Sequence, residues 1–122
     1  MNFANKKPNH LFKSFTYAWK GIKHVFKNER NFRIHIIISV LVLFFAVYFR
    51  IEAIEIAILI ISISMVLVAE MINSAIEYTW DKLEPNHHPV VGVIKDTMAG
   101  SVLLTSFAAV VVGLIIIFRN LI

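Results

Sequence analysis

Three long apolar runs, Ile34 to Phe49, Ile54 to Ala69 and Val91 to Phe118, constrain this chain more than anything else in it. Hydrocarbon offers no partner for a bare N–H or C=O, so a lipid-embedded run of this kind has to be a helix that pairs its own backbone. The first run makes only about 24 Å of helix, and it needs Arg33 on one side and Tyr48 and Arg50 on the other to reach both interfaces. Composition supports the same reading: 58% of the residues are hydrophobic and 16% are charged, where a soluble domain carries roughly a quarter. The expected fold class is an all-α membrane protein with three transmembrane helices. The 122 residues leave no space beside three spans for a separate soluble catalytic domain, so a single membrane-embedded domain, 1–122, is expected to carry the chemistry. With no cysteine, disulfides, thiolate catalysis and Cys-ligated zinc are excluded.

The segment before the first span, 11–27, reads as an amphipathic helix. Phe12, Phe15, Trp19, Ile22 and Phe26 recur three and four apart, and Lys13, Lys20 and Lys27 form a second stripe beside them. This is the pattern of an interfacial helix, aromatic side in the bilayer and lysines among anionic headgroups. The helices containing the spans are expected at about 31–50, 53–82 and 91–119, with Pro85 and Pro89 enforcing a loop between the last two. Ala99, Gly100 and Ser101 give the third span a flank that another helix can approach closely.

The net charge is +4, and eight of the twelve basic residues lie between Lys6 and Arg33, just ahead of a span. Anionic lipid, and not nucleic acid, is the partner that such placement serves. With the amino terminus in the cytoplasm, ten basic residues lie on that side and only Arg50 and Arg119 on the other. Glu29, the polar end of the second span, the His87–His88 loop, Lys95 and Asp96 then all reach the cytoplasmic interface of the cell membrane.

That polar end runs Glu70-Met-Ile-Asn-Ser-Ala-Ile-Glu-Tyr-Thr-Trp-Asp81. At about 100° per residue, Glu70, Asn73, Glu77 and Asp81 fall within roughly 80° of one helix face. Like charges stacked one turn apart repel, which points to a cation or a proton among them. With Glu29, Lys95 and Asp96 brought to the same interface, the cluster suits Mg²⁺, which takes one or two carboxylates and completes its shell with phosphate oxygens and water. A small oligomeric transporter also buries a glutamate among helices, but near mid-membrane, whereas Glu70 stands at an edge. A polar seam joining helices is the plainer alternative. The sequence has neither a Gly-x-x-x-x-Gly-Lys loop nor a protein-kinase signature, so nothing generic announces ATP.

The stripe resembles the signature Glu-x-x-Asn-[Ser/Thr]-Ala-Ile-Glu-x-x-x-Asp of the small bacterial membrane diacylglycerol kinase family. Tyr17-Ala-Trp-Lys-Gly21, Asn28-Glu-Arg-Asn-Phe-Arg33 and Lys95-Asp-Thr-Met-Ala-Gly-Ser-Val102 agree with that family in order and spacing, so the likeness covers nearly the whole chain from Phe12 onward. Asn86-His-His-Pro89 and the Lys95-Asp-x-x-Ala-Gly pattern are nearer the Gram-positive branch, whose members are undecaprenol kinases, than the proteobacterial diacylglycerol kinases.

The resemblance implies a homotrimer of three-span protomers, each with a surface helix, whose sites lie between protomers. It implies transfer of the ATP γ-phosphoryl group to a membrane lipid alcohol, undecaprenol first and diacylglycerol as the alternative. Glu70 matches the catalytic base, and Glu29 and Glu77 match the magnesium ligands. Tyr17, Asn73, His87, His88, Lys95 and Asp96 join those two ligands where the nucleotide is held. Phe32, Arg33 and Ala99 fall with Glu70 on the acceptor side. His10 stands where proteobacterial members carry an arginine, and His35 replaces a carboxylate. Single cysteines introduced at Asn86 and at Glu52 should label from opposite sides of the membrane, Asn86 from the cytoplasm; labelling of both from one side would remove the three-span orientation.

Overall fold

The computed structural model describes residues 10–86 and 88–122. They form four helices, α1 (His10–Asn28), α2 (Arg30–Tyr48), α3 (Ala53–Leu83) and α4 (Pro89–Leu121), and no strand occurs among the described residues. The helices α2, α3 and α4 are each long and apolar enough to cross a membrane. The all-α, three-span architecture read from the apolar runs is the one the chain adopts.

Helix length positions the polar stripe. With 31 residues, α3 is about 46 Å long against a hydrocarbon core of about 30 Å. A tilt of about 20° shortens its projection by only about 3 Å, so part of α3 stands clear of hydrocarbon. The end carrying Glu77, Asp81 and Lys82 is the one whose side chains require it.

Along α3 one buried seam runs through Glu55, Leu59, Val66, Glu70 and Ser74, spaced four or seven apart as a packed helix face demands. Against this seam α4 packs most extensively and α2 next. The apolar core of Ala46, Leu59 and Ile116, with Leu43, Ile51, Ile56 and Val112 around it, joins all three spans at the α2–α3 turn, at the far end of the seam from Glu70. The turn itself is a helix stop without glycine. Arg50 takes the left-handed conformation at φ 55°, its N–H donates to the Val47 carbonyl at 3.1 Å, and the Ile51 N–H donates to the Ala46 carbonyl at 3.0 Å. These two bonds are those of a Schellman motif, and the packing of Ile51 on the Ala46 cluster is its usual hydrophobic closure.

At the same end Glu55, only 5% exposed, is fully engaged by α4. One carboxylate oxygen accepts from Arg119, the other accepts from Asn120 Nδ2 at 3.1 Å, and the second Arg119 amino group reaches Glu52 at 3.4 Å. The last turn of α4 is thereby fastened to the first turn of α3. At the opposite end α1 is held by the buried Val25, by an edge-on contact between His24 and Tyr78 at 5.9 Å, and by Arg33, whose guanidinium donates to the carbonyls of Phe26 and Lys27 at 2.9 and 2.8 Å. Phe12, Phe15 and Trp19 on α1 remain exposed. Replacing Arg119 by Met should strand Glu55 and lower the thermal midpoint in detergent, and adding Glu55→Gln should recover part of the loss. An Arg119→Met protein that melts with its parent would show that Glu55 does not depend on the clasp.

Candidate functional site

Glu70 lies on the α3 seam and is 4% exposed. Facing it from α2 is His35, whose Nε2 stands 3.3 Å from Glu70 Oε1. Among the described residues this is the only basic nitrogen within 4.0 Å of that carboxylate. Glu29 and Glu77 are both near enough for their charges to act on Glu70. One turn along the helix, Asn73 donates its Nδ2 to Glu77 Oε1 at 3.4 Å, while Asn73 Oδ1 is buried with no partner among the described residues. The Ser74 hydroxyl is likewise buried and unpartnered. Helix geometry explains the grouping on α3, and the packing of α2 against the seam brings in His35.

Glu29 occupies the N-cap position of α2, but its side chain makes no capping bond. A carboxylate at a helix N-terminus is favoured by the dipole even without such a bond. Among the described residues no three His, Asp or Glu side chains converge as a metal cage. Glu77 with the Asn73 amide oxygen beside it nevertheless offers hard oxygen donors, suited to a cation that shares its shell with phosphate oxygens and water.

The other residues singled out in the sequence take varied positions. Asp81 pairs across helices with Lys95, Oδ1 to Nζ at 2.5 Å, so the last carboxylate of the stripe is neutralised by α4. Asp96 is exposed beside it, and Ala99 is exposed one turn on. His88 is the N-cap of α4 and accepts the Val90 N–H on Nδ1 at 3.1 Å, so that nitrogen carries no proton in this arrangement. His87 lies outside the described residues. Tyr17 projects from α1, 65% exposed, with Lys20 Nζ 5.5 Å from its ring centre. Arg33 is committed to capping α1, and Phe32 is the most deeply buried large side chain, at 2% exposure. The structure thus brings His35 to Glu70 and Asn73 to Glu77, with Glu29 near enough for its charge to act on Glu70 and Lys95 bound to Asp81 further along α3.

His35 is the member to which sequence reasoning gave no role. The available signal was a histidine inside an apolar span, where a polar ring needs a partner. It also lines a cavity of about 340 Å³ between α2, α3 and α4, together with Ser39, Val66 and Ser106.

Residues 16–117 match the sequence model of a family described as prokaryotic diacylglycerol kinase, which is most of the chain. The chain belongs to that family. Membership places it among prokaryotic lipid kinases. Within the family, the chain is 40% identical over 107 residues to a diacylglycerol kinase of Synechocystis, covering 87% of this chain and 61% of that relative's length. It is 34% identical over 113 residues to the undecaprenol kinase of Bacillus subtilis, covering 93% of this chain and 92% of the relative. It is 31% identical over 110 residues to a diacylglycerol kinase of Escherichia coli, with 90% of each chain covered. The relatives are named for two different acceptors. Because Phe32 is packed and not open, Phe32→Ala should cost about 3–5 kcal/mol of stability, read as a lowered unfolding midpoint of the purified protein. A midpoint equal to that of the parent would mean that its ring is not part of the packing.

Proposed function

We propose that this single membrane-embedded domain, 1–122, is an ATP- and Mg²⁺-dependent lipid kinase that phosphorylates a lipid alcohol, undecaprenol in the first instance. The observation that carries this reading is a buried Glu70 at the membrane-edge end of α3, with Glu29 and Glu77 close enough to act on it. Near full-length similarity to an undecaprenol kinase supports the acceptor, as do Asn86-His-His-Pro89 and Lys95-Asp-x-x-Ala-Gly. Diacylglycerol is the second reading, favoured by the 40% identity to the Synechocystis protein.

In this mechanism Glu70 takes the hydroxyl proton as the acceptor oxygen attacks the γ-phosphorus in line, and the bond to the β–γ bridging oxygen breaks to release ADP. Glu29 and Glu77, with Asn73 Oδ1 beside the latter, would hold Mg²⁺, which when bound neutralises charge on the phosphate oxygens. Lys95 adds positive charge on the nucleotide side, to which Tyr17, His87, His88 and Asp96 also belong. Phe32, Arg33 and Ala99 belong to the acceptor side, Phe32 and Arg33 as its packed and capped wall. The aromatic face of α1, exposed in the single chain, lies in the bilayer interface. The active form is a homotrimer in the cell membrane with its sites at the cytoplasmic interface, because a second chain shields polar groups that one protomer leaves open to lipid.

Turnover of ATP by purified protein in mixed micelles should depend on added lipid alcohol, with a higher kcat/KM for undecaprenol than for diacylglycerol. Equal or better values with diacylglycerol would move the assignment to the second reading, and ATP turnover indifferent to any lipid alcohol would remove the kinase reading. Glu70→Gln should lower turnover by about 10²- to 10⁴-fold with assembly intact. Glu77→Gln should raise the magnesium concentration needed for half-maximal rate.

A further inference from the structure

The two buried carboxylates of the α3 seam are treated very differently. Glu55 has both oxygens occupied, by Arg119 and by Asn120. Among the described residues Glu70 has a single basic neighbour, His35, whose Nε2 stands 3.3 Å from Oε1, and no ion pair reaches its second oxygen. The chain can therefore saturate a buried carboxylate, and at Glu70 it does so on one side only.

Charges on Glu29 and Glu77 both act on Glu70. Opposing them is His35, whose backbone is in a regular turn of α2 between the buried Phe32 and Ser39, the Ser39 hydroxyl donating to the His35 carbonyl at 2.6 Å. The imidazole is thus mounted on a packed helix, not a loop. Its side chain is 28% exposed against 6% for Glu70, and it forms part of the wall of the cavity between α2, α3 and α4.

We infer that His35 is a positioning residue for phosphoryl transfer: it anchors Glu70 Oε1 so that the other carboxylate oxygen is presented to the acceptor hydroxyl. This rests on the reading of Glu70 as the base. Donation from a ring nitrogen is the chemistry required, and a side-chain amide at the same reach can imitate it.

The test compares His35→Ala, His35→Leu and His35→Gln, each shown to be assembled, with Glu70→Gln and the double variant Glu70→Gln/His35→Ala, all in mixed micelles. The Ala and Leu variants should lose about 10- to 100-fold in kcat, the scale of a displaced catalytic group. KM for ATP should stay within about twofold, since the nucleotide side is untouched. His35→Gln should recover most of the loss, and in the Glu70→Gln background His35→Ala should change kcat by less than about threefold, because the group it positions is gone. If Gln and Leu are equally impaired, or if the His35→Ala loss is fully retained without Glu70, the positioning role is overturned. Should His35→Ala fail to assemble, the Gln and Leu pair decides alone. A Glu70→Gln enzyme with unchanged turnover overturns the base reading and this inference with it, whereas an impaired Glu70→Gln beside a fully active His35→Leu overturns this inference only.

Discussion

A carboxylate shut away from water has to be answered by something, and α3 shuts away two on one seam. That requirement organises the bundle. At one end Glu55 draws the last turn of α4 onto the first turn of α3, beside the apolar core of Ala46, Leu59 and Ile116. At the other end Glu70 meets α2 through His35, and the surrounding polar atoms are less completely matched: Asn73 Oδ1 and the Ser74 hydroxyl have no partner among the described residues. Stability is concentrated where the partners are complete, and reactivity is read where they are not.

The division explains how the site can hold several carboxylates without dissolving the fold. Lys95 neutralises Asp81, so the acidic stripe ends against a cation on α4. The excess length of α3 lifts Glu77 and Asp81 toward the headgroups, where their charge is easier to solvate. Only Glu70 and its histidine stay within the packed seam. Such seclusion keeps water from competing for the oxygens of Glu70.

Much of this was legible in the chain, for reasons of range. The three spans follow from apolar length, and the face shared by Glu70, Asn73, Glu77 and Asp81 follows from helix period alone. Both are local quantities. The His35–Glu70 contact and the Glu55–Arg119 clasp join residues far apart in sequence, and a periodicity has no register between helices from which to read them. Local capping was also hidden: Arg33 and His88 look available for ligands in the sequence, yet one closes the end of α1 and the other opens α4. The motif likeness singled out the acidic residues, but it could not show which of them a single chain brings together.

The guanidinium of Arg33 has a mechanical meaning. It reaches back from the first turn of α2 to the final carbonyls of α1, with Glu29 at the corner between the two helices. The corner is a stiff elbow, so a change in the tilt of α2 carries α1 with it. Tilt is also the means by which a spanning helix answers a thinner or thicker bilayer. The elbow therefore links the angle of the surface helix to the tilt of the first span, with Glu29 at the joint.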